Sequence, residues 1–321
     1  MASEFDLIQR FFTRPVSHTV LGVGDDGAVI RPRPGMDLVI STDMLVAGTH
    51  FLPDTDPEAL GRKALAVNLS DLAAMGAEPR WALLAAALPA PDEDWIAAFC
   101  RGFFGLAAEF GVDVIGGDTT RGPLNLTPTV FGEVPVGQAV TRSGARVGDT
   151  IWVSGAPGRA ALGLAHLQGR TVLAEPGLSA CLDALQRPQP RVALGAALRG
   201  LAHAAIDVSD GLLADLSHIL EQSGVAAEVD EAQLAPGAYE DAPDADAALA
   251  RQCVLGGGDD YELLFTAAPE KAEAILRLGQ QVGVPLTAVG RIVEGASPSI
   301  LLRDRDGRIV PPPRSGYDHF L

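Results

Sequence analysis

Lysine is almost missing from this chain. Lys63 and Lys271 are its lysines and neither follows glycine, so no G-x-x-x-x-G-K-[ST] phosphate loop exists. The protein-kinase signature set, the G-x-S-x-G elbow and H-E-x-x-H are absent too, which leaves nucleophilic hydrolases and zinc peptidases without support. Cysteine is scarce: Cys100, Cys181 and Cys253 lie far apart with no C-x-x-C. That spacing excludes a disulfide framework and suits buried thiols in a reducing cytosol. Long apolar runs are lacking. Trp81 to Leu88 ends at Pro89, far short of a membrane span. Met1 to Thr13 carries acids and no long apolar core, unlike a signal peptide. Positive charge is also short. A formal net charge of -17 supplies no basic surface for nucleic acid or an anionic membrane. A cytoplasmic protein with neither partner is expected.

What the chain does have is length, apolar content and clustered acids. Its 321 residues, 47% of them hydrophobic, suffice for two domains with full cores. The acids gather beside Gly, Ser or Thr, within apolar surroundings: Gly24-Asp25-Asp26, Ser41-Thr42-Asp43, Asn68-Leu69-Ser70-Asp71, Gly116-Gly117-Asp118-Thr119-Thr120-Arg121, Asp207-Val208-Ser209-Asp210-Gly211 and Gly257-Gly258-Asp259-Asp260-Tyr261-Glu262. Burying a charge is costly unless it is paired or bound to metal. With so little lysine, organic cations cannot neutralise all of these acids. Oxygen-rich sites suit hard divalent cations. Mg2+ in particular takes a few carboxylates, several waters and a substrate's phosphates. A metal–phosphate site follows.

The periodicity predicts alternating strands and helices, and hence two α/β halves. Ser3 is placed to cap a helix over Glu4 to Thr13, with Phe5, Ile8 and Phe12 on one face. Asp37 to Ser41 reads as a strand delivering Thr42 and Asp43 to its end. Asp56-Pro57 opens a long helix that Gly76 stops, and Asn68 and Asp71 share a face of it. Strands are expected at Trp81 to Leu88, Val112 to Ile115, Leu124 to Val134, Thr150 to Val153, Val225 to Val229, Leu263 to Ala267 and Leu286 to Ile292. Helices are expected over Asp92 to Phe110, after the Gly155 to Gly158 turn, and over Arg191 to Leu201, Gly211 to Gln222 and Pro269 to Val282. Val112 to Ile115 should run into a Gly-Gly-Asp-Thr-Thr-Arg turn, and Pro236 to Ala247 reads as a solvated loop. The pattern breaks at Gln138 to Asp149. This divides the chain into a first α/β domain at 1–138 and a second α/β domain at 139–321.

Each acidic motif has an ordinary alternative. Gly116 to Thr120 fits a phosphate-approaching backbone with Asp118 on a metal, or a hairpin-like turn with an Asp cap. Gly24-Asp25-Asp26-Gly27 fits a cation site or a simple turn. Asp71 fits a metal ligand or a salt bridge to Arg62 or Lys63. Ser209 or Asp210 could cap the helix from Gly211, a helix end that also receives phosphate. Of Asp259, Asp260 and Glu262, one is expected to be solvated. A lone His50 is ordinarily a hydrogen-bonded structural residue, and Arg121 and Arg142 suit phosphate or a surface ion pair.

In this order the clusters resemble the thiamine-monophosphate kinase family. The matching stretches include Gly22 to Asp26, Ser41 to Val46, Lys63 to Ala77, Gly116 to Gly122, Thr141 to Ala145, Asp207 to Gly211, Asp260 to Leu263 and Gly316 to Phe320. The resemblance implies an aminoimidazole-ribonucleotide-synthetase-like fold of two α/β domains, with the N-terminal sheet pairing in a homodimer. It also implies the last step of thiamine diphosphate biosynthesis, transfer of the ATP γ-phosphate to thiamine monophosphate. By matching position, Asp26, Ser41, Thr42, Asp43, Asp71, Asp118, Asp207 and Asp210 would organise several Mg2+ ions. Gly117, Asp118, Arg142 and Ser209 would meet ATP, and His50, Asp259 and Tyr317 the thiamine substrate. The family usually has Glu where Asp259 stands. No covalent nucleophile or general base is expected. Rival readings are a selenophosphate synthetase or hydrogenase-maturation factor, whose terminal cysteines are lacking here, and a non-catalytic cation- or nucleotide-binding module.

Overall fold

A computed structural model describes residues 4–234, 246–313 and 316. Ser3, Tyr317 and most of the expected loop at Pro236 to Ala247 therefore lie outside the described residues. The chain divides into two units, Met1–Leu72 with Ala77–Gly137, and Ala73–Gly76 with Gln138–Leu321.

The first unit opens with a short helix α1 (Glu4–Leu7) that widens into a π-type turn over Ile8–Phe12. The widening departs from the regular helix expected over Glu4 to Thr13, and it shifts the buried face. Leu7 is buried, while Ile8 and Phe12 are only half-buried. Strands β1 (Met36–Thr42) and β2 (Leu45–Val46) lead into helix α2 (Pro57–Ala74). Strand β3 (Glu78–Leu88), helix α3 (Glu93–Glu109), β4 (Asp113–Arg121) and β5 (Asn125–Pro135) follow. The sheet runs β1-β5-β3-β4, with β2 beside β5, and only β3 and β4 are parallel.

Both long helices start as their sequences require. Asp56 Oδ1 accepts the Ala59 N–H at 2.8 Å, and Asp92 Oδ1 accepts the Trp95 N–H at 3.1 Å. Gly61 and Gly102 let the helices touch backbone to backbone. A Cβ at Gly61 would run into Phe99 O, and one at Gly102 into Glu58 O. Helix α2 is thereby buried on nearly every face: Leu65, Asn68, Leu69, Ser70 and Leu72 are all fully enclosed.

One expectation fails here. Gly116 to Arg121 is strand, not turn, because the parallel ladder with β3 continues from Leu83–Gly116 to Leu88–Arg121. Gly117 is required by that ladder, since a Cβ there would strike Leu84 O. Gly116 sits where the register slips between Ala82 and Leu83.

The second unit contains β6 (Thr150–Ser154), α4 (Arg159–Leu167), α5 (Gly177–Gln186), α6 (Val192–Leu198), β7 (Ala204–Asp207), α7 (Leu212–Ser223), β8 (Ala226–Asp230), α8 (Ala247–Gly256), β9 (Leu263–Ala267), α9 (Ala272–Val282), β10 (Leu286–Val293), β11 (Ile300–Arg303) and β12 (Ile309–Val310). Its sheet order is β12-β11-β8-β10-β6-β9-β7. Two apolar clusters form its core, one around Ile151, Val153, Leu216 and Leu264, the other around Trp152 and Phe265, whose rings stack at 6.4 Å. Neighbouring strand residues thus feed different clusters, as the pleat demands. Cys100, Cys181 and Cys253 are buried, and burial pushes the Cys100 thiol up to about 12. No helix among the described residues is long and apolar enough to cross a membrane.

Candidate functional site

In the first unit the end of β1 is bolted to α2 by the residues expected to share a helix face. Ser41 Oγ donates to Asp71 Oδ2 at 2.6 Å, and the Asp43 N–H donates to Asn68 Oδ1 at 2.8 Å. Asn68 Nδ2 in turn donates to Ala64 O at 3.1 Å, so this enclosed amide is satisfied at both ends. The neighbouring Thr42 hydroxyl donates to Pro128 O at 2.8 Å and accepts from Thr129 Oγ1 at 3.0 Å. Arg62 forks onto Glu109. The result is an oxygen-rich strand end holding the side chains of Ser41, Asp43 and Asp71.

Asp118 stands elsewhere on the same sheet. It is exposed on β4, whereas Ser41 and Asp43 lie on or just beyond β1, the opposite edge strand. Three strand spacings separate the edges, about 14 Å along the sheet. Among the described residues no three His, Cys, Asp or Glu side chains gather tightly enough to hold an ion by themselves. The donor set fits Mg2+ held by one or two carboxylates, with water and phosphate completing each shell.

Asp26 is exposed on a small loop closed by the Leu21–Val29 bridge. The segment before that loop is anchored by Asp113, a residue that motif reading missed. Asp113 accepts from the Ser17 N–H at 2.8 Å, the His18 N–H at 2.9 Å and Thr19 Oγ1 at 2.6 Å. Burial pushes its carboxyl up, but the Thr19 hydroxyl and the two N–H groups outweigh that and hold it below the usual range. His50 Nδ1 accepts the Val46 N–H at 3.0 Å, so the imidazole braces its own turn.

In the second unit two acidic motifs far apart in sequence lie against each other. Val208 N–H donates to Glu262 O, Tyr261 N–H to Val208 O and Asp259 N–H to Ser209 O. Gly258 makes the approach possible, since a Cβ there would run into Ser209 O. The turn is tight enough to hold Asp259 at φ 69° and Tyr261 at φ 51°.

The acids of these motifs have divided roles. Asp260 caps α4, accepting the Gly158 N–H at 2.6 Å and the Ala160 N–H at 3.2 Å. Burial pushes it well above the ordinary carboxylate range, against the pull of those N–H groups. Glu262 receives the Arg191 guanidinium as a fork and Ser154 Oγ. Asp259 is the partly exposed member, accepting Tyr261 Oη at 3.1 Å. Asp207 is buried at the end of β7, while Ser209 and Asp210 are half-buried.

The expected cap of α7 is corrected. Neither Ser209 nor Asp210 caps it through a side chain. Asp215, inside the helix, accepts the N–H groups of Ser209, Asp210 and Gly211. Burial, then the nearby Asp210 charge, push Asp215 up to about 7 against those three N–H groups. The spacing of Asp215 in Asp-Gly-Leu-Leu-Ala-Asp was its available signal. Arg142 is exposed, and its carbonyl accepts Ser223 Oγ at the far end of α7 from Ser209. The helix has 12 residues, about 18 Å, so the structure does not bring the backbones of these two expected ATP ligands together.

Known proteins share this fold. Residues 24–134 match the AIR synthase related protein N-terminal domain family, and residues 146–303 its C-terminal domain family. Thiamine-monophosphate kinase of Salmonella typhimurium is 47% identical over 99% of this chain and 98% of that protein. The crystal structure of thiamine-monophosphate kinase from Stenotrophomonas maltophilia is 46% identical, covers 95% of each chain and superposes with a TM-score of 0.84. AaThiL complexed with AMPPCP and TMP is 30% identical over 99% of this chain and 97% of that one, with a TM-score of 0.78.

Proposed function

Because the chain belongs to the AIR synthase related family and, within it, to the thiamine-monophosphate kinases, we propose that its acidic strand ends carry Mg2+-assisted transfer of the ATP γ-phosphate to thiamine monophosphate. The observation that carries the metal part of this reading is the Ser41–Asp71 and Asp43–Asn68 lock, which holds oxygen donors at a fixed strand end.

The acceptor phosphate has its second pKa near ~6, so at pH 7 it is largely dianionic and needs no strong general base. A terminal oxygen of thiamine monophosphate bonds to Pγ as the bond from Pγ to the β-bridging oxygen breaks, leaving ADP and thiamine diphosphate. Repulsion between two phosphorylated substrates is the main obstacle. Bound Mg2+ supplies the charge neutralisation. Asp26, Asp43, Asp71 and Asp118 would hold Mg2+ ions. In the second unit Asp207 and Asp210 are assigned to metal, Ser209 to ATP and Asp259 to the thiamine side. Arg142 and Gly117 are assigned to ATP, and Tyr317 and His50 to thiamine monophosphate. For Gly117, the ladder already explains the glycine; for His50, Nδ1 is taken by the Val46 N–H.

A homodimer in the cytoplasm completes the proposal. Leu38 and Ile40 of β1 are 37% and 58% exposed on one face of the first sheet, and Met44 is 54% exposed. A second copy would cover such a patch. Light scattering at micromolar concentration should give twice the 33.3 kDa chain mass; a single species of chain mass would remove the dimer. The activity itself is tested by ATP- and Mg2+-dependent conversion of thiamine monophosphate, run against unphosphorylated thiamine. Turnover of thiamine at the same rate, or no turnover of either, would overturn the assignment.

A further inference from the structure

Beneath the loop at 207–211 lies a carboxylate that never reaches the surface. Asp215 is 2% exposed, and one of its oxygens, Oδ2, accepts three consecutive N–H groups: Ser209 at 3.0 Å, Asp210 at 3.1 Å and Gly211 at 3.1 Å. Successive N–H groups converging on a point form a nest of the kind that receives phosphate oxygens. Here the chain's own side chain fills it. The loop is held from its other side as well, because its carbonyls at Val208 and Ser209 accept the N–H groups of Tyr261 and Asp259. Gly211, at φ 128°, allows the crowding, since a Cβ would collide with Gly256.

Two consequences follow. The N–H groups of Ser209, Asp210 and Gly211, just ahead of α7, are not offered to an incoming phosphate, so recognition of an anion by this stretch of loop falls to side chains and metal. The direction in which Ser209 and Asp210 point is set from below, by a group too deep to touch a ligand.

Building on the function proposed above, we infer that Asp215 is a positioning residue for nucleotide binding: it pegs the backbone of Ser209 and Asp210 so that their side chains meet Mg-ATP, and it occupies the nest that would otherwise draw a phosphate to the helix end.

The test is calorimetric titration of the full-length protein with AMPPCP and Mg2+, alongside steady-state kinetics. Asp215→Ala should weaken AMPPCP by about tenfold or more while the KM for thiamine monophosphate stays within about threefold. Asp215→Asn keeps a carbonyl oxygen able to accept the same N–H groups and should restore affinity to within about threefold of wild type. Leu216→Ala, at a fully buried neighbour on the same helix, is the control. It should lower the thermal midpoint and leave AMPPCP affinity alone. If Asp215→Ala does not fold, Asp215→Glu carries the same expectation, because it drives the peg one methylene further into the loop. Unchanged AMPPCP affinity in folded Asp215→Ala or Asp215→Glu overturns the inference. So does an equal loss in Leu216→Ala, or an Asn variant as weak as Ala. Wild-type protein that binds AMPPCP but fails to phosphorylate thiamine monophosphate would sink the functional assignment and leave the positioning result standing.

Discussion

The two units use similar acidic motifs in opposite ways. In the first, Asp26 and Asp118 are exposed, and Asp71, on α2, is half-buried and accepts the Ser41 hydroxyl. In the second, Asp215, Asp260 and Glu262 are buried and held by backbone N–H groups or by Arg191, and among the motif acids only Ser209's neighbour Asp210 and Asp259 keep partial exposure. A carboxylate that already accepts two or three N–H bonds has little left for a ligand. Where the hydrogen bonds of an Asp-Gly-rich cluster go separates its scaffold acids from the rest, and proximity to glycine alone does not sort them.

The sharpest way to break this contrast is to neutralise one acid of each kind. Asp71→Asn should cut turnover of thiamine monophosphate by roughly 10²–10³-fold, the scale for losing one preorganised charge-stabilising group, while the melting temperature barely moves. Near-normal turnover at saturating Mg2+ would remove Asp71 from the metal set. Glu262→Ala should do the reverse. Stranding the Arg191 guanidinium beside a buried gap costs roughly 3–5 kcal/mol, read as a lower urea midpoint at unchanged slope. A loss below about 1 kcal/mol would mean that the Arg191–Glu262 fork is no scaffold.

How much of this was legible beforehand depends on the range of the interaction. The long helices and the strands feeding Thr42 and Asp118 follow local signals: Asp56-Pro57, Asp92 and alternating apolar residues. Asn68 and Asp71 were placed on one face by helix geometry alone, and that face does meet Ser41 and Asp43. The Gly116–Arg121 error has a tertiary cause. Paired glycines signal a turn locally, but the β3 ladder overrode the signal because only glycine fits beside Leu84 O. Helices α5 and α8 escaped notice because their short apolar runs resemble linker. The lacing of 207–211 to 258–262 could not be read at all, since residues some 50 apart in sequence meet only through the β7–β9 pairing.

Asp113 tests the contrast from the other side, as a buried acid within the unit whose motif acids Asp26 and Asp118 are exposed. Asp113→Asn replaces one acceptor oxygen with a donor facing the N–H groups of Ser17 or His18, at a cost of about 1–3 kcal/mol. The sign with pH is fixed by the depressed carboxyl. Unfolded Asp titrates near 3.9, so between the two pKa values the unfolded state binds the extra proton and stability rises with pH. The wild-type advantage should be complete above about pH 5 and shrink as pH falls through the folded pKa. A gap between the two proteins that is constant from neutral pH down to the acid limb would show that Asp113 acts through packing, not charge.

Asp259 is the finest test, because it is the partly exposed acid in a motif otherwise given to scaffold. Its φ of 69° suits Asp, which tolerates the left-handed region better than most side chains. Its Oδ1 accepts the Tyr261 hydroxyl at 3.1 Å. Glu at this position is one methylene longer, and a water can bridge the difference at little energetic cost. Asp259→Glu should therefore change the KM for thiamine monophosphate by less than roughly tenfold, about 1.4 kcal/mol. Asp259→Ala should raise that KM more than the KM for ATP. Tyr261→Phe separates the two roles of the carboxylate: if substrate contact dominates, it leaves both constants near wild type, whereas a loss matching Asp259→Ala would mean that the hydroxyl bond, not the substrate, is what Asp259 serves. A selective loss for ATP in Asp259→Ala, or no loss for either substrate, would make Asp259 an ordinary solvated loop acid, and exposure alone would then fail as a guide to which acids in this fold bind ligand.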